Sequence, residues 1–210
     1  MTESNGHRNA NAAIEAAEKR AAKTSGRNLP QFDDLPIAVD TANLRHGADL
    51  HERCLALLPL IGVWRGTGQA DYPTIDGPYS FGQQLVFAHD GRPFLYYESR
   101  SWLLDADGAV IRQAARETGW WRPQADDTIE VLLAHNTGIV EVYYGKPRTQ
   151  TSWRLDTDAV VRTATAKEVS AASRLYGIVD DGGLAYVEER AMVGQSLRPH
   201  LSAHLKRIVG

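Results

Sequence analysis

A chain of 210 residues with 43% hydrophobic residues, five tryptophans and eight tyrosines has room for one domain of roughly 150 residues plus an appendage. Its formal net charge of -3 gives no general attraction to polyanions, which argues against nucleic acid or an anionic membrane surface as partner, and no run of about 18 apolar residues offers a membrane span. The single cysteine, Cys54, excludes an intramolecular disulfide and any multi-cysteine metal site, and fits a reducing cytoplasm.

In chain order, residues 1–45 are polar and mixed in charge, lack the apolar core of a signal peptide, and read as a mobile extension of a domain spanning 46–210. Residues 10–22 have helical propensity but almost no large hydrophobe to bury. Phe32, Leu35, Ile37 and Val39 allow residues 29–42 to lie across the outside of the domain. Leu50, Cys54, Leu57 and Leu58 then recur at helical spacing up to Pro59 and predict a short helix over 48–58, with Cys54 a small core residue.

The stretch from Gly62 to Gly68 follows. Gly62, Gly66 and Gly68 let a strand bend and let backbone approach closely, while Trp64 supplies a large apolar plug with one polar N–H. None of these side chains is a plausible nucleophile, base or metal ligand, so the motif reads as structural. Beyond it, turn signals at 72–78, 89–91, 105–108, 123–127, 135–138, 145–147, 156–158 and 179–183 separate strand-like runs. Those runs, at 81–88, 94–104, 110–121, 128–134, 139–144, 149–155, 159–169, 173–179 and 184–192, make about ten with the first strand. Short links between consecutive strands predict an all-β fold, an antiparallel up-and-down meander closed into a barrel with a cavity for one small ligand.

Phosphate-binding, dinucleotide-binding, nucleophile-elbow and paired-histidine signatures are absent. Seven histidines remain. His7, His46 and His51 precede the barrel, while His89 and His135 begin turns, where an exposed imidazole is the usual finding. His200 and His204 lie in the tail. Read as a strand, the tail puts His200, Ser202 and His204 on one face; read as a helix, it aligns Leu197, Leu201, Leu205 and Ile208. Periodicity does not choose between them.

The ordered motifs Gly-x-Trp-x-Gly-x-Gly at 62–68, Tyr72-Pro73-Thr74-Ile75, Thr165-Ala166-Lys167-Glu168-Val169 and Pro199-His200-Leu201-Ser202-Ala203 resemble the nitrobindin family from about residue 55 to the end. The resemblance implies a ten-stranded antiparallel barrel with one haem b per chain at its mouth. Ferric haem would isomerise peroxynitrite to nitrate, ferrous haem would bind nitric oxide, and the chain would protect against reactive nitrogen species. It also implies that the tail is a strand, with His200 facing inward as the proximal iron ligand and catalytic residue. His204 would stand behind His200 or face outward, Thr74 would reach haem through its hydroxyl, and Lys167 would pair with a propionate. A mostly apolar distal wall suits this chemistry. A homodimer is compatible with the sequence. The competing reading is a haem-free barrel that carries a small hydrophobic ligand, with Arg100, Tyr97 or Tyr144 holding a carboxylate.

Overall fold

The computed structural model describes residues 4–27 and 34–210, with side chains from residue 10 onward. Phe32 of the expected arm lies outside the described residues. The chain divides into two compact units, Met1–Ile37 and Ala38–Gly210. In the first, helix α1 spans Ser4–Lys23, its last turn carrying Arg20 and Lys23 where the helix dipole favours cations. From Ala10 on, every side chain of α1 except Ala16 is exposed, as its shortage of large hydrophobes dictates.

The second unit is a closed barrel of ten antiparallel strands, each paired with its sequence neighbours and the first with the last. They are β1 (Gly62–Ala70), β2 (Tyr79–Ala88), β3 (Leu95–Leu104), β4 (Val110–Pro123), β5 (Ile129–His135), β6 (Ile139–Thr149), β7 (Ser152–Arg162), β8 (Val169–Ile178), β9 (Leu184–Met192) and β10 (Arg198–Val209). Closure leaves no exposed sheet edge. Ahead of the barrel, Thr41 forms an isolated antiparallel bridge with His89. Leu35, Ile37 and Val39 of the expected arm are exposed.

Two expected turns fall elsewhere while the count of ten is unchanged. The turn expected at 145–147 lies inside β6, because the ladder to β7 continues through Gly145, Lys146 and Pro147, paired with Leu155, Arg154 and Trp153, and the chain turns instead at 150–151. The turn expected at 156–158 lies inside β7, where Asp158 is a bulge, since Thr157 and Ala159 pair with the adjacent residues Tyr143 and Val142. Asp156 and Asp158 can sit mid-strand because they are exposed, and Thr157 because its hydroxyl accepts from the Ala172 amide. The turn falls instead at 163–168. The tail supplies the tenth strand, β10.

The short helix before β1 is a 3-10 helix, Glu52–Leu60. Its buried face is Cys54, Leu57 and Leu60, a spacing of three that suits i→i+3 bonding, whereas Leu58 is exposed. Pro59 lies inside this helix rather than ending it. Burial pushes the Cys54 thiol up to about 11, consistent with an inert core residue. The helix plugs one end of the barrel. The Trp153 indole donates to the Ala56 carbonyl at 3.0 Å, and Arg207 donates to the carbonyls of Pro59 (2.8 Å) and Ile61.

The glycine and tryptophan motif makes this junction. Gly62 adopts φ 151°, with the Val209 carbonyl 2.6 Å from where a Cβ would stand, and a Cβ at Gly68 would fall on the Phe81 ring and the Ser202 carbonyl. Trp64 is fully buried; its Nε1–H donates to the Leu60 carbonyl at 2.7 Å, and the Arg207 guanidinium lies 4.0 Å over its ring. Trp64→Phe is expected to cost about 1–3 kcal/mol, because it leaves that buried carbonyl short of a donor. Urea unfolding measures this, and a loss below about 0.5 kcal/mol would remove the bond from the account.

Candidate functional site

The end of the barrel opposite the 3-10 helix is formed by the β1–β2, β3–β4, β5–β6, β7–β8 and β9–β10 loops. His200 stands at this mouth, near the start of β10. Along β9, Glu188 pairs with Leu201 and Glu189 with Pro199, so His200 is an extra residue, a bulge that interrupts the alternation of β10. A bulge re-aims side chains, and this one takes His200 off the outer face that Ser202 and His204 share. Ser202 and His204 are exposed, and His204 meets Asp181 at 3.2 Å on the outside.

The His200 ring stacks on Tyr72, 4.2 Å between centroids and 27° between planes. Nδ1 is buried and has no hydrogen-bond partner among the described residues. Burial pushes the imidazole down to about 4; Glu188 opposes this, and Arg190 and Arg174 reinforce it. At neutral pH the ring is therefore neutral, the form that ligates metals.

Tyr72 links His200 to the other expected residues. Lys167 Nζ lies 5.4 Å from the Tyr72 ring centroid and donates to Thr74 Oγ1 at 2.8 Å. Thr74 follows β1 and Lys167 precedes β8, so this contact joins two loops across the mouth. Tyr72 and Tyr79 exchange a hydroxyl hydrogen bond of 3.1 Å. Ile139, Val169 and Met192, at the mouth ends of β6, β8 and β9, form an apolar cluster of their own.

Below the mouth the barrel is charged rather than apolar. Arg174 donates to both carboxylate oxygens of Glu117 (2.8 and 3.0 Å) and its Nε lies 2.8 Å from Glu188. Arg190 pairs with Glu188 and, at 3.2 Å, with Glu141. Glu141 also meets His135 Nε2 at 2.8 Å and accepts from the Tyr143 hydroxyl at 2.7 Å. Tyr97 donates to Glu117 at 3.1 Å. Burial would raise the Glu117 carboxyl, but Arg174 and then His135 hold it far below the usual carboxylate range. Glu141 is likewise held at about 2 against its own burial by His135, Arg190 and Arg174.

This network corrects the expectation of exposed turn histidines. The His135 side chain is 4% exposed, and His89 is buried with neither ring nitrogen partnered among the described residues. The carboxylate holders expected of a carrier do not converge. Arg100 pairs with Glu98 on the outer wall, Tyr144 is exposed there, and Tyr97 is buried on Glu117. A surface groove of about 930 Å³ does exist, but it lies among Thr67, Gln69, Leu175, Val187, Ser202 and His204 on the outer face, away from His200.

Sequence reasoning missed Tyr72 and the ion network. The network had a signal. Glu141 sits between Ile139 and Tyr143, and Arg174 between Ala172 and Tyr176, so each charge occupies a position of the inward, apolar alternation.

A neutral imidazole whose buried nitrogen is unpartnered among the described residues suits a metal centre, and an exposed ammonium beside a hydroxyl suits an anionic group. Comparison with known proteins agrees. Residues 53–207 match the family described as a THAP4-like, heme-binding beta-barrel domain. A ferric nitrobindin-like protein of Saccharopolyspora erythraea is 60% identical over 200 residues, covering 95% of this chain and 94% of that protein. Peroxynitrite isomerase 1 of Mycobacterium marinum is 53% identical over 206 residues, covering 94% and 92%. The crystal structure of Rv2717c from M. tuberculosis, 38% identical, superposes with a TM-score of 0.67 over 76% of this chain and 99% of that one.

Proposed function

Because the chain belongs to the THAP4-like, heme-binding β-barrel family, we propose that it binds one haem b at the His200 mouth and isomerises peroxynitrite to nitrate, as the names of its curated relatives suggest. The observation that carries this reading is His200: neutral, aimed by a bulge, and with a buried nitrogen that no group among the described residues uses. His200 would hold the haem iron through that nitrogen. A haem iron bound there supplies Lewis-acid chemistry toward peroxynitrite when ferric and a site for nitric oxide when ferrous.

The chain's own residues do the rest. Tyr72 stacks against the His200 ring and fixes its plane, as the partners of metal-bound imidazoles do. Lys167 and the Thr74 hydroxyl it now bonds would hold a propionate. Ile139, Val169 and Met192 form a buried apolar cluster that stiffens the mouth ends of their strands. Protection against reactive nitrogen species follows from removal of peroxynitrite.

The test is to add haem to the purified chain, record the Soret band, and measure nitrate yield from peroxynitrite with the ferric form. Haem uptake with nitrate formed above the spontaneous rate supports the reading, and absence of either defeats it. Lys167→Met is expected to weaken haem binding roughly two- to fivefold, the worth of an exposed charge pair of about 0.5–1 kcal/mol. Haem titration measures it; an unchanged affinity would remove Lys167 from the site.

A further inference from the structure

Tyr72 and Tyr79 are left without chemistry by the function above, yet they stand closest to where that chemistry occurs. Of the eight tyrosines, Tyr97, Tyr143, Tyr176 and Tyr186 are buried. Three of those four give their hydroxyls to Glu117, Glu141 and Gln83. Tyr96 lies with Glu98 on the outer wall, at 3.4 Å, and Tyr144 is 47% exposed there. Tyr72 alone is stacked on His200, 4.2 Å between centroids. Its hydroxyl meets that of Tyr79 at 3.1 Å, with the two rings edge to face at 6.2 Å.

Resting on the peroxynitrite reading, we propose that Tyr72, backed by Tyr79, is the chain's own scavenger of nitrogen dioxide at the mouth, and that it is nitrated there. When the O–O bond of peroxynitrous acid breaks, it gives nitrogen dioxide and a hydroxyl-level oxygen fragment, and recombination of the two gives nitrate. When the pair separates, the oxygen fragment is a one-electron oxidant: the phenol of Tyr72 gives it one electron and its hydroxyl proton, yielding a tyrosyl radical and water. The Tyr79 hydroxyl holds the other end of the Tyr72 O–H group during that loss. The escaping nitrogen dioxide couples to the ring carbon next to the oxygen, forming a C–N bond. The proton on that carbon then leaves and the phenol is restored. One peroxynitrous acid is consumed and one water released for each nitrotyrosine. Proximity decides the site, because a radical leaving the mouth meets Tyr72 before it reaches the outer wall.

The test treats ferric holoprotein with peroxynitrite and maps 3-nitrotyrosine by peptide mass spectrometry, with Tyr144 as the internal reference for nitration from bulk solvent. Tyr72 should be nitrated roughly tenfold more than Tyr144, the advantage of a site next to the source. Tyr72→Phe keeps an aromatic ring for stacking on His200 but has no phenol, so nitration of added free tyrosine should rise. Equal nitration of Tyr72 and Tyr144, or no rise with Tyr72→Phe, overturns the proposal. Soret band and nitrate yield are read in the same samples. Haem uptake and nitrate formation with no preference for Tyr72 defeat this inference alone, whereas absence of haem uptake defeats the peroxynitrite reading and this inference with it.

Discussion

Arg174→Met should lower the unfolding free energy by about 3–5 kcal/mol, the cost of breaking a buried ion network by removing one partner. Arg174 is 1% exposed and faces three carboxylates, those of Glu117, Glu188 and Glu141. Methionine matches much of its volume and none of its charge, so the three buried carboxylates would lose one of their two guanidinium partners and keep only that of Arg190. Surrounding an excess negative charge with apolar wall is costly, and water entry or carboxylate protonation relieves only part of it. Urea unfolding of the apoprotein measures the loss, and a midpoint shift worth less than about 1 kcal/mol would mean that the network is not a structural unit.

The same network sets the acid response. Glu117 and Glu141 have folded-state values below the ordinary 4.5, and Glu141 lies at about 2. Groups with depressed folded values stabilise fully above their unfolded value and lose that contribution as pH falls through the folded one. The carboxylate contribution is thus complete above about pH 5 and fades toward pH 2. His200, lowered from 6.5 to about 4, acts in the same direction, since the unfolded ring takes up a proton that the folded ring refuses. Apoprotein stability should fall continuously from about pH 6.5 downward, and in Arg174→Met the decline below pH 5 should flatten because Glu117 loses its main cation.

The barrel was legible because its turns are written in short-range chemistry: Asp, Asn, Gly and Pro clusters between runs of alternating apolar residues. Legibility failed where a tertiary partner overruled local composition. Residues 156–158 look like a turn, yet Asp156 pairs with Arg154 at 3.0 Å and Thr157 Oγ1 accepts from the Ala172 amide at 2.9 Å, so the strand runs on. His135 looks like a turn residue, yet carboxylates from β4 and β6 hold it. His89 opens a turn, yet it is buried and its backbone pairs with Thr41. At the mouth, motif order singled out His200, Thr74 and Lys167, and they do lie in one string of contacts through Tyr72. Tyr72 carried no chemical signal of its own, and its importance comes only from what lies beside it.

His200→Ala should weaken haem binding by at least on the order of 100-fold, more than the 10- to 100-fold that loss of an outer-shell partner costs a metal site. The informative comparison is His204→Ala. Simple strand alternation places His200 and His204 on one face, four residues apart, and on that geometry the two would share a role. The bulge at His200 separates them: His200 lies against Tyr72 and near the interior charges, while His204 is exposed and meets Asp181 on the outer wall. The contact between His204 and Asp181 is exposed and lies outside the barrel. His204→Ala should therefore leave haem affinity within about twofold of wild type. Haem titrations of the two variants side by side read the bulge directly. If both lose haem, or if His204→Ala is the more damaged, the ring that ligates is not the one the bulge turns inward, and the mouth chemistry would have to be rebuilt around the outer face.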